Sequence, residues 1–101
     1  MKIKLVNNFS KKIIFTNHAL ERAEERGATI EEIWEVLNTA ESSLAKKGKY
    51  QKEKIFKFGK EWMGKIYEEK KIRVIYTEEE DNIVVITVYV FYGEWKMEVK
   101  K

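Results

Sequence analysis

The sequence predicts a single α+β domain: two N-terminal helices packed on one face of a four-stranded, or slightly larger, antiparallel sheet. Three observations predict it. Helical periodicity is confined to the stretch between Thr16 and Ala40, period-two alternation runs from Lys54 to Tyr92, and 101 residues make a chain of ordinary one-core size. One domain over residues 1–101 is therefore expected.

The elements follow in order. Lys11-Lys12-Ile13-Ile14-Phe15 predicts a short first strand, and Thr16 or Asn17 caps the helix after it. That helix runs to about Arg26, where Gly27 suits the left-handed position past a helix end. Thr29-Ile30-Glu31-Glu32 reads as a capping box opening a second helix. On that helix Ile30, Ile33, Trp34, Leu37 and Ala40 share a core face, opposite Glu31, Glu32 and Glu35. Ala45-Lys46-Lys47-Gly48-Lys49 is an exposed loop.

Extended segments then appear at Lys54 to Phe58, around Trp62 to Glu68, at Ile72 to Tyr76, and over the apolar run Ile83 to Tyr92. Glu78 to Asn82 is polar and joins the last two as a hairpin, which sets Thr77 opposite Ile83 and Arg73 opposite Thr87. In that register Ile72, Val74, Tyr76, Val84, Ile86, Val88 and Val90 lie under the helices. Arg73, Ile75, Thr77, Val85, Thr87, Tyr89 and Phe91 form the free face, and a slip of one residue would exchange these neighbours. Residues from Gly93 to Lys101 either add an edge strand or fray.

Composition narrows the function classes. There is no cysteine, which removes disulfides, thiolate nucleophiles and thiolate metal sites, and makes an intracellular, cytoplasmic location the expectation. The N-terminal residues lack the pattern of a secretory signal, and the longest apolar run is about half of the ~20 residues a spanning helix needs, so no membrane association is expected. A net charge of +3 with 37% charged residues is a mixed surface, giving weak attraction to nucleic acid at most. The Lys/Glu-rich, amide-poor balance resembles thermophile proteins, although Pro is absent.

Chemistry is concentrated in few residues. His18, Arg22 and Arg26 are spaced i, i+4, i+8, at about 0°, 40° and 80° around the first helix. His18 is the only histidine, and two of the three arginines share its stripe. A guanidinium binds phosphate or carboxylate in a two-point geometry that lysine cannot copy, so arginine in a lysine-rich chain suggests a directional task. A plainer account stands beside this one. Arg22 has Glu21 and Glu25 within reach, Arg26 has the carboxylates of the second helix, and His18 covers a core edge.

No metal site is expected, because a single histidine and no cysteine leave only unpatterned carboxylates. The scattered glycines form no phosphate-cradling loop, and Ser10, Ser42 and Ser43 have no nucleophile-elbow context. The aromatics, among them Tyr50, Trp62, Tyr67, Tyr89, Tyr92 and Trp95, either stack on bases from an open face or pack at core edges. Trp34 belongs to the core, while Tyr89, alternating with Thr87, is the better candidate for exposure.

The segment Phe15-Thr16-Asn17-His18-Ala19-Leu20-Glu21-Arg22-Ala23-Glu24-Glu25-Arg26-Gly27, with Ile30-Glu31-Glu32-Ile33, Arg73-Val74-Ile75-Tyr76 and Val85-Ile86-Thr87-Val88-Tyr89, resembles domain of unknown function 4258, grouped with RelE/ParE-like toxin folds. The resemblance spans Phe15 to Tyr89. It implies a compact sheet with helices on one side. RelE-like members of the wider superfamily cut RNA, often on ribosomes, and are held inactive by an antitoxin; the ParE-like branch poisons a topoisomerase, and other members have no nuclease activity.

On this resemblance the chain is expected to be a toxin-like, metal-independent ribonuclease of a toxin–antitoxin system, without cofactor. His18, Arg73, Thr87 and Tyr89 would be catalytic and Arg22 and Arg26 phosphate-binding: His18 moves a proton, the arginines neutralise the phosphorane, and Thr87 and Tyr89 donate hydrogen bonds. The second proton-transfer group is unnamed. RNA or the ribosome and an antitoxin are the expected partners, and a homo-oligomer is compatible with the sequence. The alternative is a non-catalytic RelE-fold interaction domain that binds a protein or RNA partner, a peptide adding as a strand. The stripe serves catalysis only if the sheet brings Arg73, Thr87 and Tyr89 to it.

Overall fold

The computed structural model describes residues 2–3 and 11–96. The elements are β1 (Lys2–Ile3), β2 (Lys12–Phe15), α1 (Asn17–Arg26), α2 (Ile30–Thr39), β3 (Ser43–Leu44), β4 (Tyr50–Trp62), β5 (Lys65–Glu79) and β6 (Asn82–Gly93). The strands form one six-stranded sheet in the order β1-β2-β6-β5-β4-β3. The α+β class stands, but the sheet is mixed: β2 lies parallel to β6, from Lys12 opposite Asn82 to Phe15 opposite Val85. The other pairings are antiparallel.

Both helices begin and end where their local chemistry dictates. Thr16 caps α1, its hydroxyl accepting from the Ala19 amide at 3.0 Å, and Gly27 closes it in the left-handed region with φ +87°. The capping box of α2 is complete: Thr29 Oγ1 accepts from the Glu32 amide at 3.1 Å, and Glu32 Oε1 accepts from the Thr29 amide at 3.0 Å. Ala19 and Ala23 of α1 and Ile33, Val36 and Leu37 of α2 enter one core with Ile13 and Phe15 of β2 and the inner residues of β5 and β6. Ile30, Trp34 and Ala40 pack at its margin. Each large aliphatic or aromatic group fully buried there contributes about 1.5–3 kcal/mol of transfer free energy.

Two expectations about the strands are corrected. Trp62 to Glu68 is not a strand of its own: Met63 and Gly64 take φ +52° and +86°, making a two-residue hairpin turn that joins β4 to β5, with Trp62 opposite Lys65. The four expected segments thus become three long strands with short additions. The β5–β6 turn is also tighter than expected, Glu79 pairing with Asn82 across Glu80-Asp81, and the register shifts again between Ile75 and Tyr76. Thr77 therefore opposes Val84, and Arg73 opposes Tyr89 in place of Thr87.

The shift changes which side chains reach each face. Buried positions of β6 run 83, 85 and 88, so the bulge puts Ile86 and Thr87 together on the free face. Val85 is in the core, and Val84 and Ile86 are not, the reverse of the expected assignment. Beyond the bulge the expected faces hold, with Val88 buried and Tyr89 and Phe91 exposed. The expectation for the C-terminal residues is answered only as far as Lys96: residues 94–96 follow β6 without regular structure, and 97–101 lie outside the described residues.

Candidate nucleic-acid interface

The helices cover one face of the sheet and leave the other open. Its centre is a groove of about 370 Å³ lined by Ala45, Lys46, Lys49, Gln51, Arg73, Ile75, Ile86, Thr87 and Tyr89. Arg73 and Tyr89 are direct cross-strand partners, and Thr87 lies opposite Ile75 one step along. Three of the residues singled out from sequence are thereby gathered in one place.

The groove's other wall comes from the loop between β3 and β4. The Ala45 amide donates to the Lys49 carbonyl at 2.8 Å and the Lys49 amide to the Lys46 carbonyl at 3.1 Å, folding the loop back on itself. Lys47 and Gly48 make the turn with φ +53° and +75°. Lys46 and Lys49 are carried to the groove by this turn. Together with Gln51 at the start of β4 they are functional candidates that sequence reasoning passed over. The signal was the basic run in residues 45–49, read only as an exposed loop.

Arginine and aromatic side chains alternate across the open face. The Arg73 guanidinium carbon lies 5.0 Å from the centre of the Phe91 ring, Arg26 lies 5.0 Å from that of Tyr89, and Lys71 Nζ lies 5.0 Å from that of Trp95. Tyr89 and Phe91 remain 41% and 40% exposed, so each ring carries a cation and still presents surface to solvent. Glu53, opposite Arg73 on β4, accepts from Arg73 Nε at 2.9 Å and is 3.9 Å from Lys71 Nζ. Among the described residues no carboxylate lines the groove itself.

The α1 stripe divides. β2 stops beside Val85, so the next carbonyls on that edge of β6 need other donors. Thr16 Oγ1 donates to the Ile86 carbonyl at 3.2 Å, and Arg26 Nη1 to the Val88 carbonyl at 2.7 Å. Arg26 is thus fixed by a backbone bond and by Tyr89, and no helix 2 carboxylate pairs with it. Arg22 pairs with Glu25 at 2.6 Å, an exposed i,i+3 contact of the ordinary helix-surface kind. His18 is exposed, and its side chain makes no hydrogen bond or ion pair with another described residue. Neither His18 nor Arg22 lines the groove.

The opposite side of the molecule carries the perturbed ionisable groups. Tyr92 donates to the Arg26 carbonyl at 2.7 Å, and its ring stacks on Trp62 with centroids 4.8 Å apart. Burial, aided by Glu32, pushes its hydroxyl up to about 12. Burial also raises Tyr76, and it lowers Lys52, whose ammonium donates to the Leu37 carbonyl at 2.6 Å. These contacts tie the helices to the sheet.

Among the described residues no group of three or more His, Asp or Glu side chains is placed to hold a metal ion, and no helix is long and apolar enough to cross a membrane. No curated protein and no solved structure matches the chain. Over residues 15–90, which carry α1, α2, the groove and nearly all of the long strands, the sequence matches the family described as Domain of unknown function (DUF4258), and the chain belongs to that family.

Proposed function

We propose that the open sheet face binds RNA, with the groove taking a phosphate and the sugar or base beside it. The observation that carries this is the groove's composition: Arg73, Lys46 and Lys49 supply cations, Thr87, Tyr89 and Gln51 supply neutral hydrogen-bonding groups, and among the described residues no carboxylate lines the wall, Glu53 standing beside it against Arg73. A guanidinium and two ammonium groups suit a phosphate oxygen triad, while the Tyr89 ring offers a stacking surface. The resemblance to RelE/ParE-like toxins supports RNA as the polyanion and the cytoplasm as the place of action. Two helices preceding long antiparallel strands agree with that fold.

The test is fluorescence anisotropy of labelled single-stranded RNA across a salt series. Each phosphate contact adds about −0.7 to the slope of log affinity on log salt, so three groove cations predict a slope of about −2. Arg73→Ala should weaken binding by about 10- to 100-fold, the worth of a charged hydrogen bond. RNA that does not bind even at low salt would overturn the proposal.

One contact favours a second reading, in which the bound RNA is also cleaved without metal as the toxin of a toxin–antitoxin pair. Glu53 is a carboxylate held against Arg73 beside the groove, and in this reading it would take the missing proton-transfer role. The ribose 2′-hydroxyl would give its proton to Glu53 and attack phosphorus, Arg73 would stabilise the phosphorane, and the departing 5′-oxygen would take a proton from Tyr89. The products would be a 2′,3′-cyclic phosphate and a 5′-hydroxyl. The expected substrate dependence is cleavage in chelator and none at a 2′-deoxy position. RNA left intact by pure protein removes this reading and leaves binding in place. Growth arrest on induced expression, relieved by a neighbouring gene, would supply the antitoxin.

A further inference from the structure

The groove does not end the aromatic–cation pattern of the open face. Phe91 is two residues beyond Tyr89 on the same face of β6, and Gly93 two beyond that, opposite Glu69. Trp95 completes the row by folding back. A Cβ at Gly93 would lie 3.4 Å from the Trp95 indole, so the ring rests over the bare glycine backbone. The Trp95 amide donates to the carboxylate of Glu69, itself only 5% exposed, and Lys71 Nζ sits 5.0 Å from the ring centre.

We infer that Tyr89, Phe91 and Trp95 form a tract of three stacking platforms for consecutive unpaired bases of a single RNA strand, each ring held by a cation, Arg26, Arg73 and Lys71 in turn, with the phosphate contacts left to the groove. This rests on the RNA reading of the groove and specifies the substrate. Spacing decides between strand and duplex. Alternate residues of a strand are about 7 Å apart, roughly twice the 3.4 Å rise per nucleotide of a stacked duplex strand. Successive bases can meet successive platforms only when unstacked from one another. A duplex also keeps its base faces covered by neighbours, leaving the rings nothing to stack on.

The tract has a boundary. Past Trp95 the face opens into a depression lined by Glu68, Glu69 and Glu94 as well as Lys57 and Lys96. Among the described residues there the three carboxylates outnumber the two lysines, so a continuing phosphate chain meets net negative charge. The tract therefore accommodates about three bases, one for each ring, in keeping with the two or three bases that other open sheet faces stack.

Anisotropy with unpaired RNAs of increasing length and with a duplex of the same sequence tests this. Affinity should rise until three nucleotides are unpaired and flatten after that, with the duplex bound at least tenfold more weakly. Phe91→Leu and Trp95→Leu keep apolar bulk and remove the aromatic face, and each should weaken binding about 5- to 150-fold. Phe91→Tyr and Trp95→Phe, which retain a ring, should restore most of it. Far-UV circular dichroism checks that the leucine variants fold. If Arg73→Ala loses affinity while both leucine variants bind like the wild type, the tract is wrong and the groove stands. Equal affinity for duplex also overturns the tract, and no binding of any RNA overturns both.

Discussion

Tyr92 shows how one side chain ties the first helix to the sheet. Its ring lies against Trp62 and within 5.2 Å and 5.6 Å, centre to centre, of Phe58 and Tyr67, while its hydroxyl ends the carbonyl path of α1 at Arg26. The absence of a Cβ at Gly27 makes room for it, because a Cβ there would collide with the Tyr92 hydroxyl and come within 3.0 Å of the Trp62 ring. The same burial holds the phenol proton. The folded-state value is raised to about 12, above the ordinary 10, so the folded chain binds more proton than the unfolded chain between those values. The stabilisation is complete below pH 10 and is lost as pH rises through about 12. Urea denaturation should therefore show stability falling across this window, and Tyr92→Phe should flatten the fall while Tyr76 retains part of it. An equally steep fall in the variant would remove Tyr92 as its source.

At the same scale, individual residues show what sequence could reveal. The Thr29/Glu32 box and Gly27 cap are local devices, written within four residues, and both formed as read. Arg22 was legible too, as a helix-surface ion pair. Arg26 was not, because its partner is the carbonyl of Val88, 62 residues away, and a backbone acceptor has no sequence signature. Glu53 escaped notice for a related reason: its meaning comes from standing opposite Arg73.

Among elements, β6 carries the main lesson. Val84, Val85 and Ile86 are all β-branched and apolar, so alternation is silent where the bulge occurs, and no Gly or Pro marks it. The faces beyond the bulge were readable because Thr87 and Tyr89 alternate with Val88 and Val90. The β4–β5 turn was missed because Met63 takes a left-handed conformation usual for Gly or Asn. The parallel β2–β6 pair has no local signal either, since it joins segments about 70 residues apart. The loop of residues 45–49 makes its own prediction. Replacing Lys46 and Lys49 together by Ala removes two of three groove cations and should reduce the salt slope from about −2 to about −0.7 without altering the fold. An unchanged slope would place the phosphate contacts elsewhere.

For the whole molecule, charge is gathered locally at the groove. The net +3 gave little reason to expect nucleic-acid binding, but the average conceals the arrangement. The carboxylates of α1 and α2 lie on the helical side or pair locally, while Arg73, Lys46 and Lys49 converge on the open face. The α+β class and the helix pair were legible because they depend on periodicity. The site was legible only in part, since Arg73, Thr87 and Tyr89 converge through strand pairing while His18 remains outside their groove.

The most direct test of the account is an NMR titration of the whole chain with a short unpaired RNA. Amide shifts are predicted to concentrate on Arg73, Ile75, Thr87, Tyr89 and Phe91 and on the loop from Ala45 to Lys49, with α2 and its core partners unmoved. Shifts centred instead on α2 or on the exposed turn at Met63 and Ile66, or no shifts at all, would contradict it.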